Sequence, residues 1–259
     1  MRVKSSGHAV KREVRRIMPN TSFIDNIDVA TRISESPVLK YPFEHCIVDN
    51  VFPINFLDKI HDNWPSDEIM TRLPDTGRTQ EYEQRMVMLY EDSYFKNLSD
   101  YLREFWLRVA GYVMGPQVLS ICYKKFNKIL YSRIKHLPST ITLDPEILIV
   151  SDRSNYAIGP HTDSRARFVS LLFYLSPDPV YKLYGTGLYK PKDTNMQANH
   201  LTHHQFSKFE LCKLVEYIPN RLLIFPRTDS SYHGVEPLKL PNCDRRLFIV
   251  NIKAPEGAV

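Results

Sequence analysis

From residue 146 onward the apolar residues fall in short runs of valine, isoleucine, leucine, tyrosine and phenylalanine, each closed by proline, glycine, asparagine or aspartate. Such runs suit half-buried pleated surfaces and predict strands. Eight are expected, near 146–152, 157–163, 167–175, 184–189, 212–218, 221–226, 231–236 and 246–253. The first half of the chain has a different period. Ile54, Phe56, Leu57 and Ile60 recur at helical spacing over 54–62, and Trp64-Pro65 closes that helix because proline disfavours helical geometry in the residue before it. A short strand at Cys46-Ile47-Val48 precedes it. Residues 66–84 are polar and carry Pro74, Asp75 and Gly77, which predicts a long loop, and a strand at Met86–Tyr90 follows. Phe95, Leu98, Leu102, Phe105, Trp106 and Val109 predict an amphipathic helix over 92–110, and Pro116 opens another over 116–128.

Helices followed by eight strands predict a mainly β fold with flanking helices: a double-stranded β-helix (jelly roll) core buttressed by N-terminal α-helices. One domain is expected over 41–259, with a helical platform at 54–144 and a β core at 145–254. Residues 1–40 are expected to form a basic N-terminal arm, partly extended or disordered.

Composition adds exclusions. With 259 residues, 43% hydrophobic and 24% charged, the chain is ordinary globular material, long enough for a sizeable core. The net charge of +5 sits in residues 1–18, where Arg2, Lys4, Lys11, Arg12, Arg15 and Arg16 oppose only Glu13. The remainder is neutral, so no nucleic-acid partner is expected. No run approaches a membrane span, and the basic start lacks the apolar segment of a signal peptide, so a cytoplasmic protein is expected. Cys46, Cys122, Cys212 and Cys243 form no C-x-x-C pair and read as reduced structural thiols. The chain has no G-x-S-x-G elbow and no P-loop, and its nine glycines leave little for a phosphate cradle. Trp64 and Trp106 read as core or interface aromatics. Nothing in the sequence signals an oligomeric state.

The chemistry concentrates at His161-Thr162-Asp163. Residues two apart on a strand point to the same side, so His161 and Asp163 can reach one metal ion, and His233 is the candidate third ligand. Two imidazoles and one carboxylate on one face of an octahedron are diagnostic for non-haem Fe(II) oxygenases. His200, His203 and His204 form a second cluster in a polar loop without an acidic partner. They read as loop histidines, with substrate contact as the lesser alternative, and not as a second metal site.

Longer stretches extend the signal. Tyr156-Ala157-Ile158-Gly159-Pro160-His161-Thr162-Asp163 and Val169-Ser170-Leu171-Leu172-Phe173-Tyr174-Leu175 resemble the ligand-pair region and the following strand of the Fe(II)- and 2-oxoglutarate-dependent dioxygenases. Gly185-Thr186-Gly187-Leu188-Tyr189 is similar to the G-T-x-L-Y strand of a prolyl-hydroxylase-like bacterial branch. Asn220 to Pro226 with Tyr232-His233-Gly234-Val235 resembles its distal-ligand region, and Pro42-Phe43-Glu44-His45 its opening segment. The resemblance spans about residues 41–255.

It implies Fe(II) at His161, Asp163 and His233, with 2-oxoglutarate as co-substrate and O2 as oxidant. It implies conversion of 2-oxoglutarate to succinate and CO2, coupled to hydroxylation of an unactivated C–H bond in a small or medium-sized polar metabolite. Hydroxylation of a protein side chain is also compatible. The acid at Asp163 implies hydroxylation, since halogenating relatives carry a small residue there. The far carboxylate of 2-oxoglutarate needs a cation, and arginine meets a carboxylate with two hydrogen bonds. Arg245 and Arg246 point to opposite strand faces. Arg245 shares its face with Leu247, Ile249 and polar Asn251 and is favoured, with Arg246 as the alternative. Tyr174 and Thr186 are candidate hydroxyl contacts to the same carboxylate. Arg165 and Arg167 are candidate clamps for an acidic substrate group, with plain solvent exposure as the competing reading. The loops expected to set specificity are 66–84, 176–184 and 191–210. A non-haem iron oxidase without 2-oxoglutarate and a non-catalytic jelly-roll binding module are the alternatives to this function.

Overall fold

Alternation along the last strand organises the molecule. Phe248, Val250 and Ile252 point one way and Arg245, Leu247, Ile249 and Asn251 the other, so this strand has one apolar face and one with polar ends. The computed structural model describes residues 28–137, 143–199 and 202–255. Its strands are β1 (Cys46–Val48), β2 (Thr71–Arg72), β3 (Arg85–Leu89), β4 (Asp144–Asp152), β5 (Ile158–His161), β6 (Arg167–Tyr174), β7 (Thr186–Pro191), β8 (Phe209–Val215), β9 (Arg221–Pro226), β10 (Tyr232–Val235) and β11 (Arg245–Lys253). They form a seven-stranded sheet ordered β1-β9-β6-β11-β4-β3-β2 and a four-stranded sheet ordered β5-β10-β7-β8. All named strand pairs are antiparallel, and two such sheets facing one another make the jelly roll expected from the sequence.

The eight strands expected after residue 145 are β4 to β11. Two are displaced: β7 begins at Thr186 because Pro179–Tyr184 winds into a 3-10 turn, and β8 covers Phe209–Val215, earlier than expected.

The helices are α1 (Val29–Glu35), α2 (Ile54–Asp62), α3 (Asp92–Phe95), α4 (Asp100–Met114), α5 (Pro116–Lys125) and α6 (Asn127–Ile134). They cover the outer face of the larger sheet. Trp106 of α4 stacks on Phe248 with ring centroids 6.1 Å apart, and Phe52 stacks on Phe173 at 5.5 Å. Burying each such ring contributes on the order of 2–3 kcal/mol. Trp106 is thus core, while Trp64 meets it edge-on and donates to Ser151 Oγ at 3.0 Å.

Three local expectations need correction. The single helix over 92–110 is two, because Ser99 caps a new start by accepting from the Leu102 amide. The helix expected over 116–128 stops at Lys125, and α6 restarts after the buried Phe126. The arm is helical at Val29–Glu35, where Asp28 caps the helix and Val29 and Ile33, four apart, are buried in the core. The remainder of the basic arm, residues 1–27, lies outside the described residues. No described helix is long and apolar enough to cross a membrane.

A second apolar cluster fills the space between the sheets, with Val150, Leu223, Phe225 and Leu247 from the larger sheet and Leu188 and Val235 from the smaller. It is incomplete on one side, and the gap is the site.

Candidate metal centre

His161 closes β5 and lies directly opposite His233 of β10 in the antiparallel register. Opposed residues share a face, and the two rings sit with centroids 4.3 Å apart. Asp163 arrives differently from the expectation. The strand ends at His161, and the carboxylate is held in the following turn by Arg167 Nη1 at 2.6 Å on Oδ1 and Ser170 Oγ at 2.7 Å on Oδ2. One ligand atom from each of His161, Asp163 and His233 lies within 4.8 Å of the others. No other such group of three potential ligands occurs among the described residues.

The surroundings prepare these atoms for a cation. His161 Nδ1 faces the Gly159 carbonyl at 2.9 Å, and His233 Nδ1 faces that of Ser231 at 3.1 Å. Donating the Nδ1 proton to a carbonyl leaves the Nε2 lone pair for a metal. Burial, reinforced by the neighbouring His233, holds the His161 pKa well below the ordinary histidine value. Burial alone would raise the Asp163 pKa, but Arg167, His233, His161 and the Ser170 hydroxyl outweigh it and keep the carboxyl far below the usual range. Neutral imidazole and ionised carboxylate are the forms that bind metal.

The triad opens into a cavity of about 320 Å³, floored by the inner face of the larger sheet. Successive rungs across β6, β11 and β4 read Ser170, Asn251, Glu146; then Leu172, Ile249, Leu148; then Tyr174, Leu247, Val150; and finally Arg245 opposite Asp152. The floor is polar at both ends and apolar between.

At the far end Arg245 is almost wholly buried. Its Nη1 reaches Asp152 Oδ2 at 2.7 Å and its Nε the Tyr184 carbonyl at 2.8 Å, while Nη2 is buried without a partner. Asp152 also takes a two-bonded contact from Arg85, at 2.6 and 3.0 Å. Beside them the buried Tyr156 hydroxyl likewise has no partner, and its ring lies 4.3 Å from the Arg85 guanidinium carbon. Thr186 lines the cavity, and the Tyr174 hydroxyl donates to Thr186 Oγ1 at 2.7 Å without lining it.

Other expected residues are placed elsewhere. Arg246 is on the opposite face, bonded to Asp244 at 2.8 Å near the Trp64 ring, outside the cavity. Arg165 is exposed on the turn, where its carbonyl accepts from Arg133. Arg167 lines the cavity but already serves Asp163 and, at 3.6 Å, Glu146. The histidine cluster divides. His203 lines the cavity with its ring edge-on to His161, centroids 4.5 Å apart, hydrogen-bonded to the Tyr82 hydroxyl. His204 packs against Phe209 and Tyr232, and His200 lies outside the described residues. The loop docks because Gly159 has no side chain: a Cβ there would stand 2.0 Å from the His204 carbonyl oxygen.

Ser170, Glu146, Asn251, Asp152, Tyr156, Arg78, Tyr82 and Arg85 also build the site and were not among the candidate site residues, Asn251 entering only as a polar neighbour of Arg245. A readable signal existed for four of them: polar Ser170, Glu146, Asn251 and Asp152 interrupt otherwise apolar strands, and a buried polar side chain is the informative exception.

No protein-family model and no curated protein matches the chain. Among solved structures it is similar to a prolyl-4-hydroxylase of Pseudomonas putida, at 12% identity over 87% of this chain and 98% of that one, with a TM-score of 0.44. A prolyl hydroxylase of Trichoplax adhaerens, in complex with a hypoxia inducible factor oxygen degradation domain peptide fragment, shares 12% identity over 94% and 90% of the two chains, TM-score 0.48. The dioxygenase for auxin oxidation of rice shares 12% over 88% and 78%, TM-score 0.49. The likeness is one of chain path, and His161, Asp163 and His233 are the donor set that this chain places inside its own jelly roll.

Proposed function

We propose that the protein is an Fe(II)/2-oxoglutarate-dependent dioxygenase that hydroxylates an unactivated C–H bond of a small or medium-sized polar metabolite. The observation that carries this reading is Arg245 Nη2, a charged donor buried without a partner in the same cavity as the triad. A buried unsatisfied cationic donor is costly, and a carboxylate in the cavity removes the cost. A metal site serving an oxidase that takes electrons only from its own substrate needs no such group.

Nε2 of His161 and His233 and the Asp163 carboxylate would hold the iron. Three protein ligands of this type leave room for the oxoacid end of 2-oxoglutarate and for O2. Bound there, the metal and co-substrate supply the oxidation, yielding succinate, CO2 and a hydroxylated carbon. The protein contributes orientation. Ser170 and Arg167 fix the carboxylate ligand, the two carbonyl contacts fix the rings, and Asp152 fixes the Arg245 fork. Leu148, Leu172 and Ile249 give the middle of the cavity an apolar floor. The volume of about 320 Å³ is at the small end for ligand pockets and supports a small substrate. Buried free thiols at Cys46, Cys122 and Cys243 support a reducing compartment such as the cytoplasm.

The test is anaerobic titration with Fe(II) and 2-oxoglutarate, followed by succinate measurement in air. A charge-transfer band from chelation and succinate formation are expected, and both disappear in His161→Ala and Asp163→Ala. Wild-type protein that binds iron but neither binds nor turns over 2-oxoglutarate would point to the oxidase. Retention of both signals in either variant removes that residue from the ligand set.

A further inference from the structure

We propose that the substrate is a small carboxylic acid, and that Arg78, assisted by Arg167, receives its carboxylate at the polar end of the cavity beside the triad. This rests on the 2-oxoglutarate reading above.

The floor has two polar ends, and the far carboxylate of the co-substrate takes only the one at Arg245. Arg245 and Asn251 are six residues apart on β11, which is about 20 Å along a strand. The Arg245 end has its occupant. The other end holds Ser170, Asn251 and Glu146 in one rung, with Asp163 bonded to Ser170. Glu146 is buried in this rung among Arg78 at 2.9 Å, Lys253 at 2.8 Å and the Asn251 amide at 3.0 Å.

Arg78 and Arg167 both line the cavity, each with about a third of its side chain exposed. A guanidinium carries five donors, and the contacts to Glu146, Glu91 and Asp163 use only part of them. Donor capacity is therefore left on two guanidiniums that line the cavity, one of which, Arg167, bonds the triad's Asp163.

Charge selects the ligand. At this end Arg78, Arg167 and Lys253 balance Glu146, Asp163 and Glu91, whereas Arg85 and Arg245 at the other end share the single Asp152. Glu81 at the rim lies in solvent. A divalent ion and a doubly charged 2-oxoglutarate cancel one another and leave one positive charge in excess. A monoanion neutralises it, and at neutral pH that describes a carboxylate better than a phosphate monoester.

The experiment is a paired panel on protein loaded with Fe(II) and saturating 2-oxoglutarate: amino, hydroxy and N-acyl acids, each with its primary amide and, where one exists, its phosphate ester. Anaerobic calorimetry gives binding and succinate release gives turnover. Acids are expected to bind at millimolar concentrations or below and to stimulate succinate formation, with each amide at least about tenfold weaker in kcat/KM. Arg78→Gln should collapse the acid-to-amide ratio toward one, chiefly through KM, and Arg78→Lys should restore part of it. Circular dichroism and 2-oxoglutarate affinity check that the variant is folded and loaded.

Amides or phosphate esters that equal the acids, no acid bound by the loaded protein, or an acid-to-amide ratio unchanged in folded Arg78→Gln would each overturn the assignment. Failure of 2-oxoglutarate itself to bind would instead strike the reading beneath it.

Discussion

Arg245→Lys tests the co-substrate end of the cavity with a change that keeps the charge. Arg245 is 1% exposed and gives one donor to Asp152 and one to the Tyr184 carbonyl, while Nη2 has no partner. A lysine ammonium is a point charge on a flexible stem, and one that stays on Asp152 has no second fork for a carboxylate. A hydrogen bond between charged partners is worth about 1.5–3 kcal/mol, so the dissociation constant for 2-oxoglutarate should rise about ten- to hundredfold. Stability should fall less than breaking a buried pair implies. Asp152 retains both bonds from Arg85, so no bare carboxylate is left, and the loss is the Tyr184 contact plus packing against Tyr217, about 1–2 kcal/mol. For a chain of this size that is a Tm decrease of about 2–8 °C. The assay is anaerobic titration of the charge-transfer band beside a thermal melt, with Arg246→Lys as the contrast because Arg246 is on the far face. An Arg245→Lys protein that binds 2-oxoglutarate within about twofold of wild type would refute the reasoning, as would equal losses in both variants.

Removing the Ser170 hydroxyl by Ser170→Ala frees Asp163 Oδ2 from its 2.7 Å bond, and metal affinity, measured by Mn(II) titration, should drop about ten- to hundredfold; an unchanged affinity would show that Arg167 alone orients the ligand. In the presence of chelator, stability should be fully present above about pH 6.5 and fall as pH falls below it. His45, His61 and His161 are held below the ordinary histidine value chiefly by burial, so the native protein binds fewer protons than the unfolded chain in that range. Each contributes at most about 1.4 kcal/mol per pH unit, and His45→Gln, outside the cavity lining, should flatten the decline in urea midpoints. Midpoints that stay level or rise on acidification would contradict it.

The strands were legible in the sequence because their information is local. A run such as Val169–Leu175 or Leu247–Ile252 has the residue types of a pleated surface and a period of two, and that period alone assigns Arg245 and Arg246 to opposite faces. Helix interiors were legible for the same reason. Breaks were not: the cap at Ser99 and the joint at Phe126 arise from single residues whose effect depends on what they pack against.

The candidate ligands were likewise visible as residue types, but their meeting is tertiary. His161 and His233 are brought together by the β5–β10 register, and Asp163 by Ser170 and Arg167 after the strand has ended. Spacing along the chain fixed the candidates, because side-chain direction on a strand depends only on position. Which end of β11 lies beside the triad, that Arg78 and Glu146 meet there from 68 residues apart, and that Arg245 keeps one donor unsatisfied depend on contacts between distant segments. Those contacts follow from how two sheets close on one another, which no local pattern encodes.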